Sequence, residues 1–550
     1  MALHEIDSNN TYQLGGILNR SYKSFNRLEA EPYRTEKIFQ DSSYSWPGDW
    51  EGRTLLGIIT LAKATHRNPL YLKDIMNELP KHLNGKGYFG EMMPQGQANE
   101  QQLAGNSWFL RAMCEAYEWT GDEACLKMIR NIVRNLLLPL RSMIEYYPAG
   151  EINNRELRAA IGEISDRKLN GWLLSSDTGC VFIMLDGAAH AYQITKNEEL
   201  RILIEQMIKV FRSIDVVGSK FQTHATLSAV RGILRFYDLT KEAQYLEHAR
   251  YLMELYTRLA MTENYENYNW FQRPEWTEPC AFIDSYIANM ELFRMTEKGS
   301  YLETAHKIYL NAIAFAQRSN GGFGADVCSG VKDEFLGVSE KELYEAYWCC
   351  TMRGAEGLSK AARYQYLRKE DGALVVTAYD NSLLVFKREN DSILLKQSTQ
   401  YPESGYTLFE IIEGSREALK MNLFLPSYVD REGFSITLNG EPYSEPIHRE
   451  DGFIGISITP AAGTRLELRF DIPCIKAATR QNHIKGNLFF HGYALLGLFN
   501  KRIPLNEEIK PVYEEMMQYE ILPDTYIRPV FTSFYLTKPN MLNTRIQIIF

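Results

Sequence analysis

The chain has 550 residues, 45% of them hydrophobic and 23% charged, with a formal net charge of −9 at pH 7. That is ample apolar material for a large core, and an acidic chain with no lysine–arginine cluster argues against a nucleic-acid partner, whose phosphates need a basic surface. No stretch approaches the ~20 apolar residues of a membrane span, and the opening MALHEIDSNNTYQLGG shows no secretory signal, which leaves the cytoplasm as the default compartment.

From about residue 50 to 365 the apolar spacing is helical, and one phrase recurs. It reads LLGIITLAKATHRNPLYLKDI, FLRAMCEAYEWTGDEACLKMI, MLDGAAHAYQITKNEELRILI, AVRGILRFYDLTKEAQYLEHARYL and YIANMELFRMTEKGSYLETAHKI. Each copy is an apolar helix ending near a threonine (Thr65, Thr120, Thr195, Thr240, Thr296), then a polar turn and a second helix. Helix pairs at intervals are units that need neighbours to bury their faces. A sixth pair would begin at CCTMRGAEGLSKAARYQYL. Six hairpins can form an open solenoid or close into a toroid, the (α/α)6 barrel. The long inserts at 80–105, 146–170 and 261–279 favour the toroid, where such loops build a cleft at one end. We therefore expect an (α/α)6-barrel domain over residues 1–365.

After Tyr366 the period changes to two. ALVVTAYDNSLLVFK, SILLKQSTQY, TLFEIIEG, ALKMNLFLPS, FSITLNGEPY, GFIGISITP and TRLELRFDI are short alternating runs split by turn residues, the pattern of an antiparallel β-sandwich over 366–550. GNLFFHGYALLGLF, FTSFYLT and TRIQIIF are expected to add strands. All eight tryptophans lie in the helical half, where they either fill the core or offer flat faces to sugar rings.

Eight cysteines in a chain this long do not read as a disulfide framework. Cys114, Cys125, Cys180, Cys328 and Cys474 stand in separate contexts and read as small buried hydrophobes. Cys349 and Cys350 are adjacent, a spacing at which a mutual disulfide is strained. Glu278-Pro279-Cys280 precedes the fifth helical pair. Pro279 disfavours helix at Glu278, and in an extended segment residues i and i+2 face one way. Three thiols and one carboxylate make a tetrahedral set for Zn²⁺, too soft for magnesium or calcium. Buried, unliganded cysteines are the alternative. Glu345 and Glu356 are close enough in sequence to compete as carboxylates, but read more simply as a solvated helix face.

These motifs together resemble glycoside hydrolase family 127 and its sister family 146, the zinc-dependent β-L-arabinofuranosidases and their relatives. The resemblance rests on Glu-x-Cys opening one helical pair, Cys-Cys opening the next, six hairpins and the trailing sandwich. Supporting phrases are GDW at 48–50, TGDEACL, THAT around His224, YPESGYTLFEI, SITLNGEPY and GNLFFHGYALL. It implies that Glu278, Cys280, Cys349 and Cys350 hold zinc and that Cys349 is the nucleophile. It also implies a general acid/base glutamate upstream of Glu278, which falls at Glu263 with a one-residue gap, or else at Glu266. Retention by double displacement would follow, with a thiolate where a carboxylate usually stands. A free thiol, with a pKa of about 8.5, is mostly protonated at neutral pH, and zinc or a helix N-terminus makes it a thiolate.

His224 is either a sugar-binding residue, as the resemblance suggests, or a core histidine. Trp46, Asp49 and Trp50 are further cleft candidates. Some histidines that touch the sugar in family members have no counterpart here; Trp108 or Ser107 falls near one such place. The expected partner is a carbohydrate substrate, with a homodimer as a candidate assembly. A lanthionine-cyclase reading of the toroid lacks its Cys-His pair. A scaffold or carbohydrate-binding protein with a purely structural, four-ligand zinc is the remaining alternative.

Overall fold

The computed structural model describes residues 3–40, 45–149, 164–273, 277–327, 335–338, 345–430, 432–480, 485–504, 509–535 and 544–550. Cys328, expected to be a buried hydrophobe, and most of the 146–170 insert lie outside them. Twelve helices matter for the site. They are α1 (Gly16–Leu28), α2 (Asp49–Thr65), α3 (Leu72–Glu78), α4 (Glu100–Thr120), α5 (Glu123–Ile132), α6 (Met184–Thr195), α7 (Glu198–Arg212), α8 (Thr223–Thr240), α9 (Ala243–Leu259), α10 (Pro279–Thr296), α11 (Gly299–Ile308) and α12 (Cys350–Arg363).

The repeated threonines have a local cause. Each is the last residue of its helix, and its hydroxyl donates to the carbonyl four residues back: Thr65 to Leu61 at 2.7 Å, Thr120 to Ala116 at 2.7 Å, Thr195 to Ala191 at 2.7 Å, Thr240 to Phe236 at 3.0 Å and Thr296 to Leu292 at 2.6 Å. The next residue (His66, Gly121, Lys196, Lys241 or Glu297) takes a left-handed conformation that ends the helix and turns the chain.

The helices ending in these threonines, with α12, form an inner ring. α2 packs on α4, α4 on α6, α6 on α8, α8 on α10, α10 on α12, and α12 closes back on α2. The toroid expected from the inserts is therefore the observed form. The sixth hairpin differs from the sequence expectation. Among the described residues no second α-helix follows α12; its outer partner is α1, from the other end of the chain, which packs on both α12 and α2. Arg20 of α1 donates to the Ala314 carbonyl at 2.9 Å, fixing the N-terminal helix against the fifth unit.

The chain turns from helix to strand between Arg363 and Tyr366. Two sheets follow, of six and seven strands, covering the expected alternating runs from 374 to 470. The N-terminal stretch joins them too: His4–Glu5 pairs with Tyr366–Arg368, and Thr11–Gln13 with Ser382–Lys387. One pair departs from the antiparallel expectation, since Leu419–Phe424 runs parallel to Leu374–Val376. Residues from Cys474 onward build a third sheet that also takes in Asp326–Val327 and Phe335–Val338. The FTSFY portion of the expected FTSFYLT strand is not a strand: Val530–Tyr535 forms a 3-10 helix.

Candidate metal and catalytic site

The starts of α2, α8, α10 and α12 bring Arg53, His224, Cys280 and Cys350 together. At α10, Glu278 is the extended residue before the helix (φ −135°, ψ 112°), Pro279 takes the first helical position, and Cys280 follows within the first turn. Only half of the extended segment expected from sequence is present, because Cys280 is already helical. Its thiol nevertheless lies near the Glu278 carboxylate, the two belonging with His224 to a group whose donor atoms are all within 4.8 Å of one another.

At α12, Cys349 precedes the helix with a non-helical backbone (φ −147°, ψ −62°) and Cys350 begins it. That change of conformation between neighbours turns both sulfurs to one side, 3.3 Å apart. Cys280 Sγ is 3.8 Å from Cys350 Sγ, and the three sulfurs form a second group within 4.8 Å. Residues from two distant parts of the chain thus converge, with Cys280 common to both groups.

The donor chemistry fits a soft divalent ion. Tetrahedral zinc with Zn–S bonds of ~2.3 Å sets its sulfurs about 3.8 Å apart, the Cys280–Cys350 spacing seen here. Neutral thiols offer one another only weak hydrogen bonds, so three packed together in a buried pocket are poorly satisfied without a cation. Among the thiols alone the charge falls on Cys280. Burial acts to raise it, but hydrogen bonds from Cys349 and Cys350, with His224 and Arg53, hold it well below the usual thiol range. Cys349 is pushed up by its hydrogen bond to Cys280, and Cys350 by burial. Cys280 and Cys350 are buried, whereas Cys349 is partly open to solvent.

Glu278 is held from the other side. Gln222 donates to it at 3.4 Å and His224 Nδ1 lies 3.5 Å away, while His224 Nε2 is 3.5 Å from Asp284. Burial pushes the Glu278 carboxyl up, and His224 opposes it. For His224 burial disfavours the cation, but Cys280, Glu278 and Asp284 outweigh it and raise its pKa. His224 therefore stands beneath the thiols as a buried partner of two carboxylates, only 2% exposed.

Of the cleft candidates, Asp49 is buried and ion-paired with Arg53 at 2.8 Å. Trp50 packs edge-on against Tyr347, with centroids 5.7 Å apart, and Trp46 is half-buried near it. Trp108 has no exposed face. It is stacked on His224 with centroids 5.7 Å apart, and the Arg53 and Arg353 guanidinium carbons lie 4.5 and 4.3 Å from its ring. Its neighbour Ser107 is buried and donates to the Ile183 carbonyl at 2.9 Å.

Glu263 and Glu266 sit on one tight turn, closed by the Thr262 N–H to Glu266 carbonyl bond of 3.0 Å. Both are buried. Glu263 accepts a hydrogen bond from the Arg480 backbone N–H at 3.0 Å, and the Arg480 Nε is 3.8 Å away, so the third sheet's segment reaches onto this turn.

Glu345 and Glu356 are not a solvated face. Glu345 is buried and accepts from Arg27 at 2.8 Å and Thr351 at 2.8 Å. Glu356 is fully buried and bonds Arg231 at 2.7 Å. It belongs to a feature sequence reading missed: a chain of buried charges along the ring axis. Arg111 of α4, Asp186 of α6, Arg231 of α8, Asp284 of α10, and Arg353 and Glu356 of α12 form it, with contacts such as Arg111–Asp186 at 3.0 Å and Arg231–Asp284 at 2.6 Å. The only sequence signal was a charged residue inside an otherwise apolar helix. Arg53, whose NH1 donates to Cys280 Sγ at 3.4 Å, was missed for the same reason.

Residues 373–472 match the family model described as the β-L-arabinofuranosidase, GH127 middle domain, a span that coincides with the two-sheet sandwich. No curated protein matches the chain in sequence. Among solved structures, one described as a glycoside hydrolase shares 13% identity at a TM-score of 0.70, covering 100% of this chain and 97% of that one. A GH127 β-arabinofuranosidase aligns at 12% identity and TM-score 0.70, covering 99% and 97%. A GH127 β-L-arabinofuranosidase from Geobacillus stearothermophilus T6 aligns at 14% identity and TM-score 0.69, covering 98% and 99%. The chain has their fold from end to end, and its residues 373–472 match the middle domain of that family.

Proposed function

We propose that this chain is a family-127 retaining glycoside hydrolase acting on β-L-arabinofuranosides or similarly shaped sugars, with Cys349 as nucleophile and Glu263 as general acid/base. The enzyme class rests on the family match and shared fold; the observation that carries the mechanism is the convergence of Cys280, Cys349 and Cys350 within 4.8 Å at the mouth of the ring. Zn²⁺ suits the three sulfurs and Glu278, and when bound it would keep the sulfurs as thiolates at neutral pH.

Each residue then has a task. Cys349 alone of the three cysteines is partly exposed, as a residue that must meet an anomeric carbon has to be. Attack there forms a C–S bond as the glycosidic C–O bond breaks, and Glu263 gives its proton to the departing oxygen. Glu263, now ionised, takes a proton from water. That water attacks the anomeric carbon, the C–S bond breaks, and Cys349 recovers its electron pair. Two inversions give net retention. Glu266, on the same turn, is the second candidate for the proton carrier, and Trp46, Asp49 and Trp50 border this end of the ring.

A scaffold with a structural metal remains the competing reading, favoured by the burial of two of the three sulfurs. The test uses p-nitrophenyl β-L-arabinofuranoside beside a panel of pyranosides, with wild type, Cys349→Ser and Glu263→Gln. The expected result is turnover of the furanoside with retention, lost by at least a thousandfold in Cys349→Ser. Glu263→Gln should lose ~10²–10⁴-fold. Absence of turnover on every sugar would favour the scaffold, and full activity of Cys349→Ser would reject the nucleophile.

A further inference from the structure

Three sulfurs share one pocket, yet only one can be the nucleophile, and something must separate them. Arg53 does so by geometry. Its NH1 donates to Cys280 Sγ at 3.4 Å, while its Nε is fixed by Asp49 at 2.8 Å, four residues earlier on α2. The guanidinium carbon lies 4.5 Å from the Trp108 ring, so the flat cation rests on a wholly buried indole. Arg53 itself is only 5% exposed. Both its ends and its face are therefore committed, and its N–H group has one direction to point. Cys349 receives no bond from Arg53: its hydrogen-bonding contacts are with the neighbouring sulfurs of Cys350 and Cys280.

We propose that Arg53 is a positioning residue for the metal centre, holding Cys280 as a permanent ligand by an N–H···S bond and leaving Cys349 as the sulfur free to react. This rests on the zinc-site reading above. A bond from a cationic donor withdraws charge from the sulfur that accepts it, making that thiolate less nucleophilic and more firmly oriented. The overall charge supports the same role. Zn²⁺ with three thiolates and one carboxylate carries a net charge of about −2, a costly anion to bury without adjacent cations. Arg53 touches the sulfur directly, and Arg353 stands on Trp108 at 4.3 Å. Asp49 then serves to aim Arg53 rather than to bind sugar.

The experiment measures metal binding, independently of turnover. Wild type, Arg53→Met and Arg53→Lys are titrated with zinc against a competing chelator, and their Co²⁺-loaded forms are compared by absorption in the sulfur-to-metal charge-transfer region. Arg53→Met should lose 10–100-fold in zinc affinity and shift the charge-transfer band to longer wavelength, with Arg53→Lys recovering part of both. A merely structural role would lower thermal stability and leave the band in place. Should Arg53→Met not fold, Asp49→Asn, which releases the Nε end, carries the same prediction at smaller amplitude. Unchanged affinity and spectrum in a folded variant would overturn the proposal while the zinc site stands. Failure of wild type to bind either ion would overturn both.

Discussion

Cys280 and Cys350 are 3.8 Å apart through their sulfurs, with no covalent link between them, while Cys349 and Cys350 are neighbours in sequence at 3.3 Å. Removing the metal should therefore expose a choice of cross-links. A disulfide between adjacent cysteines is strained by the single peptide between them, whereas Cys280 and Cys350 sit at the starts of two packed helices and need close by only about 2 Å. Chelator-treated protein exposed to a mild oxidant is expected to form the Cys280–Cys350 bridge first, read by peptide mapping without reduction, and zinc should protect against it. A dominant Cys349–Cys350 bridge would mean that the sulfurs are not held as described. At this scale the thiols were legible because cysteine is scarce and a doublet is conspicuous. Arg53 was not, because a lone arginine in a helical phrase gives no hint of which neighbour it meets across the ring; His224 was a candidate from its phrase, but its partners Glu278 and Asp284 were not foreseen.

Among the elements, the inner helices approach closely enough that backbone meets backbone. A Cβ added at Gly52 of α2 would lie 2.2 Å from the Phe109 nitrogen of α4, and one at Gly232 of α8 would lie 2.4 Å from the Leu185 carbonyl carbon of α6. Neither obstacle is a flexible side-chain tip, so the helices themselves would have to part. Gly52→Ala should cost ~1–3 kcal/mol in denaturant unfolding, despite alanine's better helix propensity. Because Arg53 is its neighbour, zinc affinity should fall with it; Gly232→Ala, a helix pair away, should cost stability and spare the metal. Equal zinc loss in both would mean the ring transmits strain all round. The hairpins themselves could be read from their threonines, whose hydroxyls close each last turn. The role of α1 could not, since the pairing of a first helix with a last one leaves no periodic mark. The parallel strand pair in the sandwich escaped for a similar reason: register alternation looks alike in either direction.

For the whole molecule, the joint between ring and sandwich carries its own pH sensitivity. His306 of α11 is 9% exposed, bonds the Thr377 carbonyl at 2.8 Å through Nε2, and stacks on Phe424 with centroids 4.7 Å apart. Burial pushes its pKa down from 6.5 to about 4, against a smaller opposing pull from the Thr377 bond. The folded protein therefore refuses a proton that the unfolded chain accepts, so stability falls as pH drops from 6.5 and levels off below 4. A shift of this size corresponds to about 3 kcal/mol once both states are protonated. Glu291 marks a separate window. Burial would raise its carboxyl, but Arg294 and Lys360 hold it at about 2, so its contribution is present above 4.5 and fades as pH falls toward 2. His306→Phe keeps the ring against Phe424 and removes the titration at the cost of the Thr377 bond, ~1 kcal/mol at neutral pH. Urea unfolding at a series of pH values should find wild type the more stable at pH 7 and the variant equal or superior near pH 4, with the change confined to 6.5–4. Parallel curves would show that the joint does not sense acid through His306.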